Sequence, residues 1–161
     1  MRSHIINMTG FTYTIMEGLQ EEAKVLSMMQ ALYAEDEADT PADRSRFAAN
    51  LEFLAAHPSC GSVVLFREWD ALVGYALLVP YWSNEFGGTL LFVDEMFVVP
   101  EARRRGIGRS FFSFIENLRP FKAVALAVEV SPRNAGARRL YESLGFRARE
   151  NTVLTRSLGV F

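Results

Sequence analysis

The stretch from Thr89 to Val99, TLLFVDEMFVV, is apolar on both of its alternating faces except at Asp94 and Glu95. A strand of that kind has no face to give to water, so other elements must cover it on both sides. The chain has 161 residues and half are apolar, enough for one compact core. No Pro/Gly/Ser-rich linker divides it and no repeat is visible, so residues 1–161 read as a single domain.

The flanking segments supply the cover. Phe11 to Met16 alternates as a strand, and Leu19 to Tyr33 places Ala23, Leu26, Met29 or Gln30, and Tyr33 at helical spacing. An acidic segment from Glu35 to Asp43 leads into a second amphipathic stretch through Phe47, Leu51 and Leu54, closing near His57-Pro58. Ser62–Phe66 and Val73–Val79 flank the charged turn Arg67–Asp70 as a hairpin. Beyond Pro100, Ser110–Leu118 reads as a helix with Phe111, Phe114, Ile115 and Leu118 on one side, and Ala123–Val130 as a buried strand. Ser131-Pro132 opens a last helix that Leu144-Gly145 closes, and Phe146 to Leu158 fits one or two final strands. The order predicts an α/β domain around a mixed sheet.

Several functions are disfavoured at this level. No apolar run approaches the ~18 residues of a membrane span, and MRSHIINMTG lacks the apolar stretch of a signal peptide, so a soluble, cytoplasmic protein is expected. One cysteine, Cys60, and two histidines, His4 and His57, give no cluster at metal-ligand spacing, and no metal is expected. Residues 1–100 carry 5 Lys/Arg against 14 Asp/Glu, net −9, while residues 101–161 carry 12 against 5, net +7. A basic half suits a polyphosphate and an acidic half a cation, although charge runs are usually solvated faces. The cations centre on one phosphate-sized loop of an acidic protein, which argues against nucleic acid.

That loop is the strongest local signal. In VVPEARRRGIGRSFF a buried strand passes through Arg103-Arg104-Arg105-Gly106-Ile107-Gly108 into a helix. Glycines let the backbone turn tightly so that N–H groups converge, and the helix N-terminus and arginines add positive charge, as a pyrophosphate cradle requires. A Rossmann dinucleotide site competes, with Glu129 as its ribose-binding acid. Its fingerprint, however, needs a small residue where Phe111 stands, and it usually opens the first βα unit.

Arg103-x-x-Gly106-x-Gly108 after a strand resembles the R/Q-x-x-G-x-G/A motif of the GNAT acetyltransferases, and SPRNAGARRLYESLGF resembles that family's later motif through Asn134, Tyr141, Gly145 and Phe146. The two cover roughly Phe92 to Phe146; the first 60 residues match only in element order. The resemblance implies a single-domain α/β GNAT-like fold, a mixed, mostly antiparallel sheet of about six or seven strands flanked by four helices. It also implies an N-acetyltransferase that moves acetyl from acetyl-CoA to a primary amine by direct attack in a ternary complex. The cofactor would lie on Arg103, Arg104, Arg105, Gly106, Ile107, Gly108, Arg109 and Ser110, with its arm beside Phe97, Val98 and Val99 and in contact with Asn134. A strand N–H near Val98 would meet the thioester oxygen. Tyr141 would lie near the sulfur, by hydrogen bonding or by full proton transfer, the latter uphill by about 2 kcal/mol between a phenol near 10 and a thiol near 8.5. Phe111-Phe112 departs from the small aliphatics common there and would narrow the cofactor side.

The attacking amine must lose a proton, and Asp94 and Glu95 are the candidate bases. Consecutive strand residues point to opposite faces, so one of them should face the cleft, with Asp94 preferred for sharing a face with Met96 and Val98. The acceptor is expected to be a small, cationic amine met by Tyr33, Tyr81, Trp82 and Glu85 together with the acids from Glu35 to Asp43. A homodimer is compatible with the family. A non-catalytic acyl-CoA-binding module of the same fold is the alternative, and it would have no need of Tyr141 or the paired acids.

Overall fold

The structure is a computed structural model that describes residues 10–35 and 41–159. One five-stranded sheet runs in the order β1 (Phe11–Ile15), β2 (Ser62–Glu68), β3 (Ala71–Ser83), β4 (Gly88–Val98) and β5 (Ala125–Val128). The first three pairings are antiparallel and β4 pairs β5 in parallel. A parallel pair needs a crossover, and helix α3 (Ile107–Leu118) supplies it. The other helices are α1 (Glu22–Glu35), α2 (Arg44–Ala56) and α4 (Ala135–Ser143).

Period-2 alternation along the strands sends side chains into two cores. Val64, Phe66, Ala76, Leu78, Leu91 and Val93 face α3, whose Phe111, Phe112, Phe114 and Ile115 are buried against them. Val63, Leu65, Tyr75, Leu77 and Phe97 face the opposite side, under Val25, Met29, Phe47 and Leu51 of α1 and α2. The long apolar strand is covered on both faces, as its composition requires. The pair Phe111-Phe112 belongs to the core.

Two expectations change. The sheet has five strands among the described residues, not six or seven, because the segment after Phe146 forms none. Phe146 packs its ring on Phe112 and Tyr141, and the chain beyond it leaves Val153, Leu154 and Leu158 more than four-fifths exposed. A period-2 pattern makes a strand only where a partner edge meets it. The N-cap of α4 is Asn134 instead of Ser131: Pro132 sits in a turn closed by Asn134 N–H on Ser131 O, and Asn134 Oδ1 then accepts from Ala137 N at 3.0 Å. No described helix is long and apolar enough to cross a membrane.

Candidate active site

Strand β4 pairs β3 along its whole length but β5 only from Leu90 to Val93. The register with β3 slips at this point, Leu78 opposite Val93 and Leu77 opposite Glu95, so Asp94 is an extra residue that bends the strand. Beyond the bulge the edge of β4 facing β5 has no strand partner among the described residues, and the two strands leave a gap. Val99 N–H donates to Val73 O at 2.9 Å. By antiparallel alternation Phe97 turns its N–H to β3, while Met96 and Val98 turn theirs into the gap. Val98 O, also on that side, accepts from Arg103 Nε at 2.7 Å.

The bulge also corrects the expectation that Asp94 and Glu95 point to opposite faces. An extra residue breaks strict alternation, and the charges of both acids act on Tyr33 and Tyr75. Tyr75, wholly buried on β3, donates its hydroxyl to Glu95 Oε2 at 2.7 Å. Tyr33, on α1 with its ring 4.8 Å from that of Phe47, turns its hydroxyl toward the same carboxylate. Burial raises the pKa of Glu95 above the ordinary range, and the Tyr75 hydrogen bond partly opposes this. Burial among protein atoms also raises that of Asp94, although the residue as a whole keeps an exposed side, and Glu129 at the end of β5 adds like-charge repulsion. The Tyr75 phenol is pushed far up by burial and by Glu95, so it remains a donor.

The Arg/Gly loop lies directly after the open edge. A single 3₁₀ turn, Pro100–Ala102, ends β4; Arg104 then has φ 62° and Gly106 has φ 84° as N-cap of α3. A left-handed N-cap without a side chain leaves the N–H groups of Ile107, Gly108 and Arg109 with no capping acceptor, while Ser110 N–H already bonds Gly106 O at 3.0 Å. Tyr13 braces this turn: its hydroxyl donates to Ile107 O at 2.9 Å and also meets Ser110 Oγ, so the Ser110 side chain is committed to the fold.

The arginines do not converge as expected. Arg103 bridges both oxygens of Glu35 at 2.9 Å and lies over the Phe97 ring, Arg105 pairs with Glu68 and covers Phe11, and Arg109 donates to Ser143 Oγ at 2.7 Å. Only Arg104 of the four has no such side-chain partner among the described residues, so the positive potential at this loop comes from amides, helix dipole and Arg104. Gly108 serves packing: a Cβ there would stand 2.7 Å from Leu140 Cδ2 and 3.8 Å from Met96 Cε.

The remaining sequence candidates divide. Tyr141 is buried between Phe112 and Phe146, in the cluster that Met96, Val98 and Val128 join at the gap. Asn134 commits Oδ1 to its cap, which leaves Nδ2 as the group able to meet a ligand. Tyr81, Trp82 and Glu85 sit at the β3–β4 hairpin end, opposite or beyond Leu90 and Thr89, and are about 17–20 Å along β4 from Glu95 at ~3.3 Å per residue. The structure does not bring them together with Tyr33, and Glu85 pairs with Arg149. Of the acids expected to meet a cation, Asp43 caps α2, Glu35 holds Arg103, and residues 36–40 lie outside the described residues. Sequence reasoning missed Tyr75, which reads as one more apolar strand residue, and Glu129 as a neighbour of Asp94.

Comparison with known proteins places this geometry. The profile of the acetyltransferase (GNAT) family matches residues 25–146. No curated protein matches by sequence. Among solved structures, a possible acetyltransferase from Clostridium difficile 630 aligns with a TM-score of 0.79 at 19% identity, over 93% of this chain and 99% of that chain. The aminoglycoside N-acetyltransferase AAC(6')-Iy in complex with CoA aligns at 0.74 and 16%, over 99% and 98%. A ribosomal-protein-alanine N-acetyltransferase from Brucella melitensis biovar Abortus 2308 aligns at 0.71 and 16%, over 91% and 99%. At such identities the likeness establishes a common fold. With the family profile covering the open β4 edge, the Arg/Gly loop and α4, the chain belongs to the GNAT acetyltransferase family.

Proposed function

We propose that the protein is an N-acetyltransferase that moves the acetyl group of acetyl-CoA to a primary amine of a small, cationic acceptor, both bound at once. The observation that carries the reading is the juxtaposition of an unpaired β4 edge, an uncapped α3 N-terminus directly after it, and a tyrosine-held carboxylate at the bulge where the gap opens. These features fit the cofactor: free amides with Arg104 suit a pyrophosphate, and a bare strand edge suits an extended amide-bearing arm. When bound, acetyl-CoA supplies an activated acyl group.

The protein's own residues then have distinct tasks. The N–H groups of Ile107, Gly108 and Arg109 hold the phosphates. The outward N–H of Val98 faces the charge that grows on the carbonyl oxygen. Glu95 takes a proton from the acceptor's ammonium, freeing the neutral amine to attack, because its raised pKa makes it a better base than an ordinary carboxylate and Tyr75 fixes its orientation. Asp94 and Glu129 keep the mouth of the gap negative and attract the cation. Tyr141 assists the departing sulfur from the cluster beside Met96 and Val98.

Thiol release over an amine library with acetyl-CoA as donor tests this. Turnover with small cationic amines that disappears in Glu95→Gln supports the reading. CoA binding with no turnover of any amine would favour the non-catalytic acyl-CoA-binding module, and a best acceptor that is anionic would remove the cationic part.

A further inference from the structure

A large cavity lies away from the gap. It has a volume of about 970 Å³ and sits past the end of β1, between α2 and the C-terminal end of α3. Helix α3 separates it from the free amides at that helix's other end by about 16–18 Å, at ~1.5 Å per residue. Its size falls within the range of small-molecule sites.

Its walls are apolar: Ile15, Met16, Leu54, Val63, Phe114 and Leu118. Short β1 and the α2 end leave the seam between the two cores unfilled there, so the cavity reaches residues from both faces of the sheet. Glu17, Ser59, Ser62, Arg119 and Lys122 break the apolar lining. Ser62 is among the lining residues, but its Oγ is buried behind the wall, with no hydrogen-bond partner among the described residues. Arg119 and Lys122 contribute two exposed cations against the single acid Glu17, and neither cation has an ion-pair partner among the described residues. They flank Pro120-Phe121 in a segment where Arg119, Phe121 and Lys122 all have positive φ, a conformation that costs energy for residues with a side chain.

We propose that this cavity is a binding site for an apolar molecule bearing one carboxylate, separate from the acetyl-transfer gap. The hydrocarbon part lies against the apolar walls, and the carboxylate meets Arg119 and Lys122 at the rim. Acetyl transfer is not needed for the inference, and its test does not rest on activity.

Isothermal titration calorimetry of the full chain with sodium decanoate below its micelle concentration, and with decylamine as the cationic counterpart, tests it. Decanoate is expected to bind saturably, one per chain, and at least about tenfold more tightly than decylamine. Replacing the rim cations together, Arg119→Glu with Lys122→Glu, should abolish that preference. These side chains are exposed, so the variant retains the fold. Ala55→Trp, which fills the cavity from the exposed side of α2, should abolish decanoate binding while leaving CoA binding intact. Saturating CoA should not displace decanoate. Absence of saturable decanoate binding, equal binding of the amine, indifference to the rim variant, or displacement by CoA would each overturn the proposal.

Discussion

Tyr75 on β3 donates a 2.7 Å hydrogen bond to Glu95 Oε2 on β4, so a wholly buried phenol anchors the carboxylate beside the bulge of that strand. The bond favours the ionised form of Glu95 against the burial that disfavours it. Removing it raises the carboxyl pKa further. Tyr75→Phe is therefore expected to lower kcat by about three- to tenfold and to move the acid limb of the pH–rate profile to higher pH. Glu95→Gln should cost about 100-fold or more in kcat. A purely structural Tyr75 would lower kcat without moving the limb, and steady-state kinetics across pH distinguishes the two.

Stability should respond to Asp94 in the opposite direction from activity. Its folded pKa is raised by burial and by Glu129, so the folded state binds the proton more tightly than the unfolded state. The charged form is then a liability at neutral pH, and that liability vanishes once the pH falls below the unfolded value of about 3.9. Asp94→Asn is expected to raise Tm at pH 7 by about 1–2 °C, a small gain because the residue is partly solvated, and to give no gain near pH 3.5. Thermal melts of both proteins at the two pH values check the sign.

Gly106 and Gly108 differ in what they do. At Gly108 a side chain meets Leu140 Cδ2, the movable end of a side chain, so Gly108→Ala should cost about 1 kcal/mol and Gly108→Val about 2–3 kcal/mol of stability. Pairing Gly108→Ala with Leu140→Ala should recover part of the first loss, which urea denaturation of the four proteins of the cycle measures. At Gly106 nothing lies within 4 Å, but φ is +84°, so Gly106→Ala pays in backbone strain and places a methyl beside the free amides. Its CoA affinity should fall more than that of Gly108→Ala.

The loop arginines should separate in the same assay. Arg104→Ala is expected to weaken CoA binding by about three- to tenfold at low salt and by less at 1 M salt, where the screening length is about 3 Å. Arg105→Ala removes a group already paired with Glu68 and should change affinity by less than about twofold. Calorimetry with CoA at two salt concentrations compares them.

Tyr141→Phe keeps the ring that packs on Phe112 and Phe146 and removes only the hydroxyl. Turnover should fall by about tenfold or more with little change in acetyl-CoA affinity. Unchanged turnover would leave Tyr141 as a core residue.

The sequence by itself determined most of the elements and the faces they bury. The run Thr89–Val99 announces a strand covered on both sides, the Phe111 to Leu118 pattern announces a helix with one apolar face, and the Arg/Gly loop between them announces an open helix N-terminus. Such features are written within a few residues of one another, where local sterics, periodicity and capping operate. What the tertiary structure decided depends on residues far apart in the chain. Tyr75 reaches Glu95 across 20 positions and Arg103 reaches Glu35 across 68, and neither pairing has a local signature. The bulge at Asp94 arises from a register slip between β3 and β4, which no alternation pattern on one strand reveals. The same holds for the contact that reserves Gly108 for Leu140 and for the tail, whose alternating residues find no edge to join. A side chain's partner is fixed by which strands and helices are brought beside it, and that choice is made by burying both faces of one sheet at once.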